Sequence, residues 1–518
     1  MVVSTNKPAS ASAGQAAGRK VCARFPAKAG VGAVSLSTLR VHARRFFVCA
    51  SASLCCLLPL SAQAADEEDL SIPPTLLAPS TLVREVVTPS NARTGAEKPL
   101  PAPVPRKGPL ELREGVRLAV DRHPSIADAV ATLMQQIGGV DVAQAAYYPQ
   151  IRAGVGSGNT NSASTGGKST LATLSLSQML YDFGKVEGNV GQAEANVRRQ
   201  QAAILKQIDS VARDAADAVV QAHRYQELAA ITREQVDAVT KVAEMTRSRA
   251  EAGISTKADP VQAQARVDAT KAMLLQAETL ERQWNERLRT LIGTTADKGI
   301  APLSGQMFSD VPLNETPDLS LMPDVLVAEA ERQAARAVVV QARAQRMPTV
   351  SLDLSANKAL SGVNPSTLKQ DGTYHSAMVN VSSSVYQGGA LEAQVRAAVA
   401  GEEAARQRIE TARLNAGDMA RSFREQLMGS RTRLDVLAQR KKSIAQALDL
   451  YRDQYKLGTR SILDLLNAEQ EFYQARSDEE MLRHDLWQSL VGYINAIGRS
   501  RDFYGLNNST IQGMEIRP

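Results

Sequence analysis

The chain has 518 residues, of which 44% are hydrophobic and only 4% are aromatic. So few aromatic side chains argue against several conventional mixed cores and favour extended helices that pack through small side chains. Basic residues number 60 and acidic residues 54, but eight of the basic residues and none of the acidic ones fall within the first 64 positions. The remaining chain, with 52 basic and 54 acidic residues, offers no argument for nucleic-acid binding.

The first 64 residues have the features of a secretory signal peptide. Two arginines at positions 44 and 45 precede an apolar run at 46–60, and small residues at 62–64 supply a cleavage site. The apolar run is shorter than the roughly 20 residues of a transmembrane helix. We expect residues 1–64 to be a signal peptide for export, and an amphipathic organelle-targeting peptide is the alternative.

All four cysteines lie in this predicted leader: Cys22, Cys49, Cys55 and Cys56. The chain that follows has neither a disulfide framework nor thiolate chemistry. A lipoprotein signal needs small residues directly before its cysteine, whereas Leu54 precedes Cys55. We therefore expect no lipid anchor.

Residues 65–109 are rich in proline, serine and threonine, with five prolines between positions 99 and 109. This composition predicts a disordered, extended linker without a fold of its own. Helical periodicity begins at Leu110, so we expect the folded part of the chain to start there.

The folded part contains an internal repeat with a constant offset of 205 residues. The matched pairs are Tyr181 and Tyr386, Gly253 and Gly458, Asp259 and Asp464, Ala263 and Ala468, and Gly293 and Gly498. Five pairs at one offset are hard to obtain by chance. The repeat predicts a first unit at 110–293, a connector at 294–322, a second unit at 323–498 and a C-terminal tail at 499–518.

Each repeat unit contains two predicted strands, because apolar and polar residues alternate on either side of a segment rich in Gly, Ser and Asn. These segments, 156–168 and 361–373, are the expected hairpin loops. Each strand has about the ten residues needed to cross an outer membrane at a tilt, but four strands cannot close a barrel. Open sheet edges are not tolerated in lipid, so several protomers would have to share one barrel. Soluble hairpins that cap a helical bundle are the alternative.

The helices that follow the strands are predicted to be very long. No proline interrupts residues 184–252, and about 67 helical residues would extend over roughly 100 Å. Apolar residues recur at alternating spacings of four and three in both units, which predicts a coiled-coil seam. A cytoskeletal or scaffold coiled coil would explain this seam, but not the signal peptide or the strands.

Residues 110–498 resemble the TolC family of outer-membrane efflux and secretion proteins. The resemblance is most specific at residues 455–468, Tyr-Lys-Leu-Gly-Thr-Arg-Ser-Ile-Leu-Asp-Leu-Leu-Asn-Ala. It implies a mainly α fold with a membrane β-barrel. Three copies would form a homotrimer whose twelve-stranded barrel, four strands per protomer, contacts outer-membrane lipid and continues into a coiled-coil α-helical tunnel. It also implies docking through a periplasmic adaptor protein to an inner-membrane pump, either an ABC transporter or a proton-driven one.

In the family, the two long helices of each unit meet at a periplasmic tip, where inward coiling closes the duct. Polar links at this gate match Tyr455, Arg460 and Asp259, and a carboxylate that lines the constriction matches Asp464. Many members carry a second acid one turn further, where this sequence has Asn467. In a trimer, this departure halves the expected number of carboxylates around the constriction, which argues against strong cation binding there. Tyr455 and Arg460 occur only in the second unit, which locates the moving gate in the C-terminal half.

The tip turns have the residues of tight helix reversals, because Gly253 and Gly458 suit a left-handed backbone. Candidate caps for the helices that follow are Ser255, Thr256, Thr459 and Ser461. The adaptor is expected to dock on the turns, at Gly253, Thr256, Gly458 and Thr459. A simpler interpretation leaves Arg460 solvated and lets Asp464 stabilise only its own helix dipole, but the repeat and the Gly-Thr-Arg spacing favour the gate.

The sequence contains no glycine-rich phosphate loop, zinc-ligand spacing or nucleophile elbow, so we expect no enzyme activity, no cofactor and no bound metal. Four histidines lie beyond the leader and far apart, and each is predicted to be a surface or cap residue: His123, His223, His375 and His484. Residues 182–184 spell a kinase Asp-Phe-Gly motif, but their position in the repeat predicts a junction between a strand and a helix.

These features predict a passive exit duct in the bacterial outer membrane that extends into the periplasm and serves type I protein secretion or drug efflux. The missing lipid-anchor cysteine and the tip sequence favour secretion. The alternative is a periplasmic coiled-coil scaffold or adaptor without a pore.

Overall fold

The computed structural model describes residues 77–79, 108–160, 167–295, 299–303, 311, 313, 318–364, 366–370 and 372–516. The predicted signal peptide lies outside these residues, as does most of the predicted linker. Within the linker, strand β1 (Leu77–Pro79) pairs antiparallel with a strand near the C-terminus, Met514–Ile516. The expectation that the whole of 65–109 is without a fold is therefore wrong for these three residues, because a distant strand supplies the pairing that local composition does not.

The repeat units have the same order of elements. The first contains α1 (Leu112–Arg122), α2 (Pro124–Gln144), β2 (Gln150–Thr160), β3 (Gly167–Tyr181), α3 (Lys185–Glu251) and α4 (Ala258–Ile292). The second contains α5 (Pro323–Ala344), β4 (Thr349–Ser361), β5 (Val363–Asn364), β6 (Lys369–Gln370), β7 (Thr373–Ser382), α6 (Ala390–Lys456) and α7 (Ile462–Ala496). The tail forms α8 (Ser500–Tyr504), β8 (Thr510–Ile511) and β9 (Met514–Ile516). Long helices and one four-stranded sheet confirm the predicted mainly α class with four strands per protomer.

The long helices repeat with equal lengths. Helices α3 and α6 each have 67 residues, and α4 and α7 each have 35. The uninterrupted helix predicted over 184–252 is thereby confirmed. Its seam is also present, because most of the α3 residues at the predicted spacing of four and three are buried: Ile204, Ile208, Val211, Ala215, Ala218, Ala222, Ala229 and Val239.

A capped turn joins the first unit's second long strand to its long helix. In the first unit, the Asp182 carboxylate accepts hydrogen bonds from the main-chain nitrogens of Gly184, at 3.0 Å, and Val186, at 2.6 Å. Gly184 has φ +92°, a conformation that favours glycine. The kinase-like letters therefore mark the predicted junction, in which an acid satisfies free N–H groups at a helix start.

The four long strands form one sheet in the order β2-β3-β4-β7, so the two repeat units meet along β3 and β4. Leu176 lies opposite Leu354, and Ser177 lies opposite Asp353. The Ser177 hydroxyl donates a hydrogen bond to the Asp353 carboxylate at 2.6 Å. Apolar side chains thus share one face and polar side chains the other. Strands β2 and β7 are the two edges of this sheet.

Two strands are longer than expected. Strand β2 continues through the glycine-rich residues 156–160, and β3 already begins at residue 167. The predicted loop 156–168 was too long. Its small side chains suggested a loop, but the hydrogen bonds between β2 and β3 are made by the main chain and do not depend on those side chains. Between β4 and β7 the chain forms the β5-β6 ladder, which buried Asn364 anchors by donating to the Gly372 carbonyl oxygen at 2.7 Å.

The main core, the largest cluster of buried apolar side chains, lies where α1, α2, α3 and α7 meet the C-terminal tail. Tyr504, Ile511, Met514 and Ile516 of the tail are all almost completely buried in it. A second group, the tip cluster, lies near the α3-α4 and α6-α7 turns and includes Val239, Val267, Leu448, Tyr455 and Leu465. None of the helices in the described ranges is both long and apolar enough to cross a membrane.

Candidate gate at the helical tip

Two glycines make the turns at which the long helices reverse. Gly253 joins α3 to α4 with φ +72°, and Gly458 joins α6 to α7 with φ +76°. Each turn closes on a main-chain carbonyl of the preceding helix: Ile254 donates to Arg249 at 2.8 Å, and Thr459 donates to Gln454 at 3.0 Å. Because a β-carbon is strained at positive φ, the predicted need for glycine is met at both turns.

The helices that leave the turns begin differently. Ser461 caps α7 as predicted, because its hydroxyl oxygen accepts from the Asp464 main-chain nitrogen at 3.1 Å. At α4 neither Ser255 nor Thr256 caps the helix. There the Asp259 carboxylate accepts from the Thr256 hydroxyl at 2.7 Å and from the Thr256 main-chain nitrogen at 3.3 Å, so the acid in the first turn binds the residue three positions before it. Asp259 therefore has a local partner within its own turn.

Arg460 is held on the second turn by three neighbours. Its Nε donates to the Gln454 side-chain oxygen at 3.0 Å, and its guanidinium carbon lies 4.4 Å from the centroid of the Tyr451 ring. A guanidinium nitrogen also lies 3.6 Å from an Asp464 carboxylate oxygen. Both members of this pair are about 40% exposed, so its Coulomb energy is strongly screened by water. The geometry places Arg460 and Asp464 together, one turn apart.

Tyr455 is buried beneath the second turn, with 5% of its surface exposed. Its hydroxyl lies 3.4 Å from the hydroxyl of Thr246 on α3. The guanidinium carbon of Arg249, also on α3, lies 5.1 Å from the centroid of the Tyr455 ring. Tyr455 consequently joins the end of α6 to the end of α3, across the two repeat units.

Asn467 also makes a contact between units, because its side-chain oxygen accepts from Arg266 of α4 at 3.2 Å. The two gate residues on α7 thus have different environments, since Asp464 pairs with Arg460 within its own unit. Asp259, Tyr455 and Arg460, the three residues that the family resemblance links at the gate, each have other partners within the protomer.

An ion pair between a buried carboxylate and a partly exposed arginine joins α6 to α7 just inside the tip. The carboxylate of Glu469, 1% exposed, accepts from Arg452 Nε at 2.9 Å and lies 2.7 Å from a second guanidinium nitrogen. Burial raises the pKa of Glu469, and Arg452 acts in the opposite direction. Its second carboxylate oxygen is buried without a hydrogen-bond partner.

Comparison with known proteins identifies the family. The outer membrane efflux protein family matches residues 115–294 and 319–499, one match for each repeat unit. The chain belongs to the outer membrane efflux protein family. One similar protein is the outer membrane efflux protein BepC of Brucella suis, 24% identical over 70% of this chain and 79% of BepC. Another is the alkaline protease secretion protein AprF of Pseudomonas aeruginosa, 25% identical over 65% of this chain and 70% of AprF.

A solved structure agrees with this assignment at the level of the fold. The outer membrane protein VceC of Vibrio cholerae has a TM-score of 0.65 to this chain at 20% sequence identity, and the alignment covers 75% of this chain and 96% of VceC. This outer membrane efflux protein is the exit duct of an efflux or type I secretion system, located in the outer membrane and extending into the periplasm. Its family consists of channel proteins rather than enzymes.

The tip also contains residues that sequence reasoning did not find. Arg249, Thr246 and Gln454 contact the predicted gate residues Tyr455 and Arg460. The repeat relates two of them, since Arg249 aligns with Gln454 at the offset of 205. That alignment was the one signal available from the sequence. In the described part of the chain no three His, Cys, Asp or Glu side chains are grouped as a metal site would require.

Proposed function

We propose that this outer membrane efflux protein works as a homotrimer, whose three sheets close one twelve-stranded barrel and whose helices form a continuous periplasmic tunnel. The observation that carries the proposal is the sheet, which has two unpaired edges, β2 and β7, and one apolar face. Its strands have 11, 15, 13 and 10 residues, enough to cross the hydrocarbon of an outer membrane at a tilt. An unpaired edge is unstable in lipid, so a second copy must cover each one.

Aromatic residues support this placement of the sheet. Exposed rings lie where the strands join the helices, at Tyr148, Tyr181, Phe183 and Tyr386. Rings at such junctions form the girdle typical of membrane barrels at the lipid-water interface. On the apolar face, Ile151, Val155 and Val379 are also exposed, as side chains that contact lipid would be in a single protomer.

The helices support closure by further copies in the same way. Helix α3 packs against α5 and α7 of the second unit, whereas α6, its counterpart, packs in the described chain mainly against helices of its own unit and also meets α3 near the tip. Exposed apolar side chains remain along α6, namely Leu414, Met419, Val436 and Leu450. By repeat equivalence, α2 and α4 of the next copy would cover this helix as α5 and α7 cover α3.

We further propose that the tip is the periplasmic gate and the docking site of an adaptor protein, through which an inner-membrane ABC or proton-driven pump delivers its cargo. Ile254, Leu457 and Leu463 are exposed around the two glycine turns, an apolar surface without a partner in the described protomer. Beside it lie the proposed gate residues Arg460 and Asp464. The docking surface thus adjoins the residues that would have to move for opening.

Planar-bilayer recording tests the duct. The chain is purified, its trimer and monomer fractions are separated, and each is added at equal protein mass. Stepwise conductance from the trimer and none from the monomer is the expected result. A trimer that never conducts, alone or with gate substitutions, would contradict the duct and favour a scaffold without a pore.

The gate is tested in the same assay with Arg460→Ser. This substitution removes the contacts to Gln454, Tyr451 and Asp464, so conductance should rise. Arg421→Ser, in the exposed middle of α6, is the matched control and should behave as the native protein does. Equal conductance for both variants would exclude a gating role for Arg460.

A further inference from the structure

Arg249, at the end of α3 in the first repeat unit, reaches into the turn of the second unit. Its guanidinium donates to the main-chain oxygen of Lys456 at 3.3 Å and lies over the Tyr455 ring. A guanidinium nitrogen is also 3.7 Å from where a β-carbon of Gly458 would be. The arginine therefore contacts the last turn of α6 and lies close to the glycine of the turn that follows.

The Lys456 oxygen is a favourable acceptor for a cation. Lys456 is the last residue of α6, and the final carbonyl groups of a helix have no partner within it. They also form the negative end of the helix dipole, so a guanidinium there gains electrostatic energy. Arg249 thus supplies from another helix a hydrogen bond to the last carbonyl group of α6 and places a second cation near that helix end, where Lys456 already pairs with Asp453.

Comparison of the two units shows that this contact is asymmetric. The counterpart of Arg249 in the second unit is Gln454, whose side chain stays within its own unit and accepts from Arg460. The counterpart of Tyr451 is Thr246, which is fully buried against Tyr455. Arginines consequently lie over both tyrosines near the end of α6: Arg460 from the same unit over Tyr451, and Arg249 from the first unit over Tyr455.

We propose that Arg249 is a positioning residue of the gate, which holds the second tip turn against α3 and must release it when the duct opens. This inference rests on the proposed gating role of the tip. It differs from that role in placing a restraint in the first repeat unit, on a residue outside the predicted gate. Any movement of the α6-α7 turn away from α3 breaks the hydrogen bond to Lys456 and removes the cation from the Tyr455 ring.

The test compares three variants of the full chain as trimers in planar bilayers. Arg249→Met keeps the length of the side chain but loses its charge and donors, so the open fraction should rise roughly tenfold, the effect of losing one charge-assisted hydrogen bond. Arg249→Lys retains a cation and a donor and should lie between Met and the native residue. Arg247→Met, an exposed change two residues away on the same helix, should have no effect.

Thermal unfolding of each trimer is measured alongside the recordings. If the role of Arg249 is only structural, the variants should have lower melting temperatures, but their conductance should not decrease in the order Met, Lys, Arg. If Arg249→Met fails to assemble, Arg249→Lys still decides the question, since a native open fraction for it would overturn the proposal. If Arg249→Met conducts as Arg247→Met does while Arg460→Ser conducts more, the proposed restraint by Arg249 is overturned and the gating role of Arg460 remains. If neither the native trimer nor any variant conducts, the proposed duct itself fails.

Discussion

The imidazoles of His223 and His484 form a hydrogen bond across α3 and α7, with Nδ1 of His223 2.8 Å from Nε2 of His484. The ring centroids are 5.1 Å apart, so the two nitrogens lie nearly on the line that joins the centroids, as in a direct N–H to N bond. Nδ1 of His484 lies 2.8 Å from the Glu480 carbonyl oxygen, which can only accept, and so carries a hydrogen. Nε2 of neutral His484 is then an acceptor, and His223 is the donor.

This pair predicts a loss of stability in acid. Burial lowers the pKa of His484 to about 4, against a weaker opposing effect of the Glu480 carbonyl, and burial also lowers the pKa of His223. Below about pH 6.5 these histidines bind protons in the unfolded chain but not in the folded pair. The free energy of unfolding therefore falls by about 1.4 kcal/mol per histidine for each pH unit. For His484 the loss continues to about pH 4. Among the charges that face the pair, Glu227 raises the pKa of His223, whereas Arg224 and Arg483 lower the pKa of His484. The Glu480 carboxylate lies 3.4 Å from Nδ1 of His484.

The measurement is the free energy of unfolding at pH 7.5, 6.0 and 5.0 for the native protein, His484→Gln and the exposed control His375→Gln. His484→Gln should lose less stability between pH 6.0 and 5.0 than the native protein, and the control should match the native slope. The comparison between variants is required because Asp209 and Asp217, whose pKa values burial raises to about 7 and about 6, change stability in the opposite direction. Identical slopes for all three proteins would remove the histidine pair as the cause.

Sequence patterns predicted the features that depend on local order. The offset of 205 residues predicted two equal units, and the positions of Gly253 and Gly458 predicted the turns. The histidine pair was predicted wrongly, since His223 and His484 are buried partners rather than surface or cap residues. They are separated by 261 positions in the sequence, and local periodicity cannot predict a contact between residues so far apart in the chain. His123 does cap a helix, because its ring accepts from the Ser125 main-chain nitrogen.

Large separation in sequence also explains which contacts were not predicted at the tip and in the tail. The contact between Arg249 and Lys456 joins two helix ends that the sequence places 207 positions apart. Residues 500–516 have no strong periodicity of their own, yet they complete the main core against α1 and α3. Capping and turn residues act on their neighbours and can be found from sequence, whereas these contacts depend on which elements meet in three dimensions.

A close approach between α3 and α5 predicts the effect of a single methyl group. A β-carbon at Gly188 would lie 2.8 Å from Cβ and 2.9 Å from the main-chain nitrogen of Gln341, too close for either atom. Gly188→Ala should therefore destabilise the fold by about 1–3 kcal/mol through overpacking, despite the better helix propensity of alanine. At Gly191 the nearest atom would be 3.6 Å away, so Gly191→Ala should be neutral or stabilising by up to about 1 kcal/mol.

Chemical denaturation of the two variants measures this difference. Both changes add one methyl group to the same helix, so helix propensity cancels in the comparison. Equal midpoints would show that α3 and α5 can separate without cost and that the close packing at Gly188 is unimportant.

The buried pair of Asp209 and Arg501 predicts a pH-dependent cost of removing the arginine. A nitrogen of Arg501 lies 3.4 Å from an Asp209 oxygen, and both side chains are less than a tenth exposed. Burial raises the pKa of Asp209 to about 7 even with Arg501 present. Arg501→Met removes the one nearby cation that opposes the shift, so the pKa should rise further. The variant should lose about 3–5 kcal/mol at pH 8, where the carboxylate must be buried charged or protonated at a cost.

Unfolding at pH 8 and pH 6 tests the sign. At pH 6 the carboxyl group is protonated in the fold, so the loss caused by Arg501→Met should be smaller than at pH 8. Asp209→Asn combined with Arg501→Met should recover part of the stability at both values, and exposed Arg499→Met is the control. A loss that is independent of pH would mean that packing of the arginine, rather than its charge, stabilises the tail.

The proposed barrel predicts which strand residues of neighbouring copies lie opposite each other. Strands β3 and β7 align through Tyr181 and Tyr386, which makes Val381 the counterpart of Leu176. Strands β2 and β4 each begin just after a proline, at 149 and 348, which makes Val155 the counterpart of Leu354. Since Leu176 lies opposite Leu354 where the units meet, Val381 of one copy should lie opposite Val155 of the next.

Cysteine cross-linking tests this register. Directly opposed strand residues have Cβ atoms about 4.5–5.5 Å apart, close enough for a disulfide after small movements. Val155→Cys with Val381→Cys should give covalent trimers under mild oxidation, and each single variant should remain monomeric in denaturing gels. Val155→Cys with Asn380→Cys is the matched control, because residue 380 points to the opposite face of β7. Cross-linking of the control but not of the predicted pair would shift the register by one residue and turn the apolar face away from the lipid, which contradicts the proposed barrel.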